Sequence, residues 1–222
     1  MRRYLPRLLA ILRNHGHTGS SETDDDAESL GTEIQDMIAE SLEGVERIGK
    51  IVIDLKDFSR QDQLDNWVMA DINAGLQSTL NIVGNELKYK ANVVLDLKPL
   101  PAIECLPSQL NQVFMNLLVN AGQAIETQGI ITVTTEFVDG VAMISVGDDG
   151  KGIPDDVMPR IFDPFFTTKG TGEGTGLGLA ISYGIIAKHH GTIEVTSSPG
   201  DGTLFLIKLP VRQPASTDDP KE

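Results

Sequence analysis

The chain is expected to be an α+β protein: a two-layer α/β sandwich, with helices on one face of a mixed, largely antiparallel sheet, preceded by a helical hairpin fragment. Three observations predict it. Residues 66–210 alternate strand-like runs with amphipathic helical stretches. Two pairs of those runs flank Asp139-Gly140 and Pro199-Gly200-Asp201-Gly202, turn sequences that mark antiparallel hairpins. Ahead of them, Ile34, Ile38, Val45, Ile48, Val52 and Leu55 recur at three- and four-residue steps or their multiples, a heptad seam.

In chain order, residues 4–13 read as a short helix and residues 14–28 as a polar loop, apolar only at Ala27. The seam then predicts a long helix over about 29–60, weakened at Gly44 and Gly49. One such stripe cannot hide itself, so it pairs with the short first helix or with another chain. The composition shift at residues 59–67 marks the boundary: residues 1–60 are a partial hairpin, 61–65 a linker, 66–210 the main domain and 211–222 a disordered tail. Within the main domain, residues 66–72 and 91–97 read as strands around an amphipathic helix at 73–90. A second helix is predicted over 108–125, with Pro107 just ahead of its start. Residues 129–137 pair with 141–148, and 191–198 with 202–209. A last helix opens at Gly176-Leu177-Gly178 and runs to Ala187.

Composition excludes several classes. A net charge of −14 argues against a nucleic-acid surface, which needs clustered cations, and otherwise indicates solubility. The single cysteine, Cys105, cannot form an internal disulfide; it reads as a small buried core residue in a reducing compartment. The best apolar run, residues 4–12, is too short to span a membrane and contains Arg7. It mimics the start of a signal peptide, but no small-residue cleavage site follows.

Three motifs carry candidate chemistry. The run G-T-G-E-G-T-G-L-G-L lacks the residue order of a P-loop or a dinucleotide fold, yet it ends at a helix start. A helix start presents unpaired N–H groups and a positive dipole end, and glycine lets backbone approach phosphate closely. D-D-G-K-G-I-P, at a strand end, sets a carboxylate beside glycines, as suits an exocyclic amine on a flat base. Asn116 and Asn120 lie four apart on one helix face, where amide oxygens suit a hard cation such as Mg²⁺.

In the order N-L-L-V-N-A (116–121), D-D-G-K-G-I-P (148–154), F-D-P-F-F-T-T-K (162–169) and G-T-G-L-G-L-A (174–180), the chain resembles the ATP-binding domain of bacterial sensor histidine kinases. These match the N, G1, F and G2 boxes of that family, which shares a superfamily with gyrase, mismatch-repair ATPases and a heat-shock chaperone. The resemblance covers roughly residues 65–210, and residues 44–60 resemble the second helix of the family's dimerisation and phosphotransfer hairpin. It implies that Asn120 holds Mg²⁺, with Asn116 one turn before it. Asp148 would recognise the adenine amino group, in a pocket shaped by Gly150, Gly152 and Ile153. Phe162, Phe165 and Phe166 would anchor an ATP lid that carries Thr168 and Lys169, the lysine meeting the phosphates. Gly174, Thr175, Gly176, Leu177 and Gly178 would close over the triphosphate.

In hydrolytic relatives a glutamate one turn before the metal-binding asparagine activates water; Asn116 has no such basicity. The resemblance therefore implies transfer from ATP to an imidazole, chiefly through positioning and Mg²⁺. Asn116, Asn120 and Lys169 are the candidate catalytic residues. The family's H-E-x-x-N-P phosphoacceptor motif is absent. His15 and His17 lie in a polar loop, and His189 and His190 close a helix, where an imidazolium would interact favourably with its C-terminus. The acceptor is thus expected on another chain or in a longer protein. Expected partners are that histidine helix, a response regulator and a second copy of the chain, in the cytoplasm. The alternatives are a nucleotide-gated binding module and a serine/threonine kinase of the same superfamily.

Overall fold

The computed structural model describes residues 66–170 and 174–214, together with residues 34, 36–39, 41, 44 and 45. The chain divides into two compact units, one ending at Ile53 and one that begins at Asp54 and contains everything from residue 66 onward described below. In the first unit the described residues are helical, Ser41 Oγ donates to Met37 O at 2.7 Å, and the seam residues Ile38 and Val45 are exposed. The expected first helix, the loop at 14–28, the linker at 61–65 and the seam residues Ile48, Val52 and Leu55 lie outside the described residues.

The second unit begins with β1 (Val68–Ala70), shorter than the expected strand over 66–72. Asp71 ends it: its carboxylate accepts the Ala74 N–H at 3.2 Å and so caps α1 (Ile72–Leu87). Then come β2 (Ala91–Leu97), β3 (Ile103–Cys105) and α2 (Pro107–Ala124), followed by β4 (Gly129–Val138) and β5 (Val141–Asp148). Past a single 3₁₀ turn at Met158–Arg160, α3 (Gly178–Lys188), β6 (Thr192–Ser198) and β7 (Gly202–Pro210) complete it. The expected elements are present, and the sequence pattern missed β3, three residues set between prolines.

Five strands form one sheet in the order β2-β4-β5-β7-β6; β2 runs parallel to β4 and the other neighbours are antiparallel. β1 does not join it. It pairs with β3 in a separate two-stranded sheet, Met69 opposite Glu104. The β4–β5 turn places Asp139 and Gly140 both at positive φ (52° and 83°), the geometry that matches strand twist in a two-residue hairpin.

The helices cover one face of the sheet. Leu110, Val113, Phe114, Leu117 and Leu118 of α2 are buried with Ile131 and Val133 of β4, Ile144 of β5, Ile207 of β7 and Ile185 of α3. Each such side chain contributes roughly 1.5–3 kcal/mol by leaving water, so α2 is the spine of the core. Cys105 is fully buried there, and burial pushes its thiol up to about 11. It is a core residue, as expected.

His189 departs from the expectation for a helix C-terminus. It caps α3, but it is buried, and its ring acts as a neutral connector. Nε2 accepts the Leu106 N–H at 3.0 Å, Nδ1 lies 2.7 Å from Ile185 O, and the ring stacks at a tilt on Trp67 with centroids 4.9 Å apart. Since a backbone N–H can only donate, Nε2 is the acceptor nitrogen, and the proton on Nδ1 serves Ile185. One side chain thus ties the end of α3 to the start of α2.

Candidate functional site

The candidate residues meet along the C-terminal half of α2. At its upstream end, Asn116 Nδ2 donates to Gly178 O at 3.1 Å and lies 3.3 Å from Ser182 Oγ, fastening α2 to the first turn of α3. One turn on, Asn120 Oδ1 accepts from Lys169 Nζ at 3.1 Å, and Gln123 Oε1 accepts from the same ammonium. At the end of the helix, the carbonyl of Ala124 accepts the Lys151 N–H at 3.1 Å. The backbone of Gly150 lies so close that an added Cβ would stand 2.7 Å from the Ala124 carbonyl. Eight residues of helix span roughly 12 Å. Within that length α2 touches the start of α3, the Lys169 side chain and the glycine turn after β5.

That turn is built around Asp148. Its Oδ1 accepts the Gly150 N–H at 2.9 Å, and the side chain is half-buried at the end of β5. Loss of water raises its pKa above the ordinary 3.8, and the charge of Asp149 adds to this; the backbone N–H groups of Gly150 and Thr203 oppose it. Asp149 points elsewhere, accepting the Ile130 N–H at 2.7 Å. Gly152 has φ +70°, and a Cβ there would stand 2.0 Å from Ser198 O, so no larger residue fits. Ile153 is held by its N–H donating to Ser197 Oγ at 2.9 Å, and that hydroxyl donates to Gly202 O at 2.6 Å. The residue pattern gave no sign of Ser197, which comes from the distant β6.

The three phenylalanines do different things. Phe162 packs against the core and on Tyr183 of α3, with centroids 5.4 Å apart. Phe166 lies under the Arg160 guanidinium at 4.4 Å. Phe165 is 65% exposed with φ +66°, and it is its backbone that matters: a Cβ on Gly176 would stand 2.4 Å from the Phe165 carbonyl carbon. Thr168 is exposed, whereas Lys169 is half-buried and its N–H donates to Thr167 Oγ1 at 3.2 Å. Gly174 lies beside the Lys169 stem, and Thr175 Oγ1 accepts the Leu177 N–H at 3.4 Å. Leu177 stands at the N-cap of α3 without a side-chain cap bond, so the first N–H groups of that helix are left to other acceptors.

A cavity of about 480 Å³ opens beside the end of β5, lined by Thr132, Gly147, Asp148, Thr196, Ser197 and Leu204 among others. None of Asn116, Asn120, Lys169 or Gly178 reaches it. Among the described residues no group of three or more His, Cys, Asp or Glu is placed to hold a metal, and no helix is long and apolar enough to cross a membrane. Asn120 nevertheless fits a hard cation: its carbonyl already faces the positive charge of Lys169, and amide oxygen suits Mg²⁺.

Residues 105–213 match the family model of the histidine kinase-, DNA gyrase B- and HSP90-like ATPases. The chain is 38% identical over 173 residues to the sensor histidine kinase ZraS of Escherichia coli (strain K12), covering 75% of this chain and 36% of that protein. It is 37% identical over 180 residues to the signal transduction histidine-protein kinase AtoS of the same organism, covering 80% and 29%. The chain therefore spans about a third of the length of these relatives. Among solved structures, the catalytic domain of histidine kinase ThkA superposes with a TM-score of 0.60 at 28% identity, over 66% of this chain and 97% of that one. Residues 105–213 are thus a domain of the histidine kinase-, DNA gyrase B- and HSP90-like ATPase family, homologous to the ATP-binding catalytic domains of sensor histidine kinases in two-component systems.

Proposed function

We propose that this domain binds ATP with Mg²⁺ and transfers the γ-phosphoryl group to a histidine imidazole on a separate helix. The observation that carries the reading is the convergence on α2 of an oxygen donor (Asn120), a carboxylate beside a glycine turn (Asp148, Gly150) and an uncapped helix start (Gly178). The carboxylate accepts the amine of the base, the glycines admit its ring, and the N–H groups of α3 take phosphate oxygens. Mg²⁺, where bound, neutralises charge developing on the phosphates, with Asn120 as its protein ligand. Asn116 spends its amide on Gly178 and Ser182 and offers no base to water, so ATP keeps until the imidazole arrives. Of the candidate catalytic residues, Asn116 then acts by holding α3 in place, and Asn120 and Lys169 act at the phosphates.

The acceptor belongs to another chain or to a longer protein. His189 has both ring nitrogens engaged inside the core. Residues 1–60 then serve as part of a helical hairpin that pairs two copies, joined through 61–65 to the catalytic domain at 66–210, with 211–222 as a tail. The phosphoryl group passes on to a response regulator in the cytoplasm. Labelled ATP with Mg²⁺ tests the reading. The chain binds nucleotide but retains no label, and it labels a supplied helical hairpin bearing the H-E-x-x-N-P motif. The product is acid-labile, as phosphohistidine is and phosphoserine is not. Binding with no transfer to any hairpin favours the nucleotide-gated module instead.

A further inference from the structure

We infer that Ser197 is a positioning residue for base recognition: its hydroxyl fastens the two backbone segments whose N–H groups hold the Asp148 carboxylate. This rests on the nucleotide reading of Asp148 given above. Thr203 of β7 stands directly opposite Asp148 of β5 on one side and Ser197 of β6 on the other. Residues directly opposite one another across a sheet point to the same face. The three side chains therefore form one row across three strands, continued on β4 by Ile131, which is fully buried in the core.

The carboxylate has two backbone donors, the Gly150 N–H at 2.9 Å and the Thr203 N–H. One lies in the glycine turn after β5, the other at the start of β7. The Ser197 hydroxyl reaches both segments. It accepts the Ile153 N–H at 2.9 Å, beyond the glycines of the first, and donates to Gly202 O at 2.6 Å, next to Thr203 in the second. Its one proton is thereby spent, so the Thr203 hydroxyl, 3.0 Å away, donates to it. The two segments also press backbone on backbone. Gly200 N–H donates to Lys151 O at 2.9 Å, and a Cβ on Gly202 would stand 1.9 Å from Asp148 O. Without the serine hydroxyl, the Ile153 N–H and the Thr203 side chain lose a partner, and the donors on Asp148 lose a shared anchor. With it, the carboxylate is held in one orientation before the base arrives.

The test compares Ser197→Ala with wild type for two ligands, ATP and purine riboside triphosphate, which lacks the exocyclic amine. By calorimetric titration the variant's Kd for ATP rises about tenfold, the scale of a hydrogen bond to a charged group, while its Kd for the analogue stays within about twofold of wild type. A purely structural role would weaken both ligands alike. Equal losses, or no loss for ATP, overturn the inference and leave the nucleotide reading intact. A second readout needs no nucleotide: followed by NMR, the Asp148 carboxyl titrates higher in Ser197→Ala, because its N–H donors favour the charged form while Asp149 acts on it in both proteins. An unchanged titration overturns the inference by itself. A wild-type chain that binds neither ligand removes the nucleotide reading, and this inference with it; one that binds both alike removes the role of Asp148 at the amine, with the same consequence. If Ser197→Ala lowers the melting point too far for titration, Thr203→Val takes its place, with the same shape and no hydroxyl.

Discussion

Replacing Asp148 by asparagine should separate two properties that its carboxylate combines. The side chain is half-buried, accepts the Gly150 N–H at 2.9 Å, and has its pKa raised above 3.8 chiefly by loss of water. A raised pKa means that the folded chain holds this proton more tightly than the unfolded one. The stability it provides is present below the unfolded value and is lost as pH rises through the folded value. At neutral pH the ionised carboxylate therefore costs stability. An amide of the same shape keeps the Gly150 bond and removes the charge, so Asp148→Asn should melt no lower than wild type at pH 8, and its advantage should vanish near pH 4. Binding should move the other way. With Oδ1 on Gly150, the asparagine would present an NH₂ to the adenine amine of the proposed complex, donor against donor. Losing one hydrogen bond to a charged acceptor is worth about 1.5–3 kcal/mol, which raises Kd roughly 10- to 150-fold. Circular dichroism melts at the two pH values and calorimetric titration with a non-hydrolysable ATP analogue measure both. A variant that melts well below wild type at pH 8 and binds as tightly would refute the reasoning.

His189→Ala orphans the Leu106 N–H and the Ile185 carbonyl and leaves a ring-sized hole beside Trp67, a loss of about 3–5 kcal/mol. The melting point should fall by roughly 10 °C, and the emission of Trp67, the chain's single tryptophan, should shift to the red. Asn116→Ala removes the ties to Gly178 and Ser182 and should cost about 1–2 kcal/mol by denaturant titration. On the proposed reading, Asn120→Ala should erase most of the difference between nucleotide affinity in Mg²⁺ and in EDTA, because it deletes the amide oxygen proposed as the metal's ligand. Gly152→Ala forces a Cβ against Ser198 O at φ +70°; it should lower the melting point and raise Kd for nucleotide together, read by the same melts and titrations.

Features coded by adjacent residues could be read directly from the chain. The α2 stripe, the Asp139-Gly140 turn, the burial of Cys105 and the three glycine- and asparagine-bearing motifs each follow from spacing, turn chemistry or polarity within one short segment. So did the layers, because period-two and period-3.6 runs each leave one face that must be covered. Pairing across long sequence distances was decided only by the tertiary structure. It sets β2 parallel to β4, sends β1 to β3 in a sheet of its own, and joins Leu106 to His189 across 83 positions and Lys169 to Gln123 across 46. The reason is physical: a local pattern states which face of an element must be hidden, but not which other element hides it. His189 shows the difference. Its neighbours in sequence suggest a charged helix end, and only the packing of α2 beside it makes it a buried, neutral link.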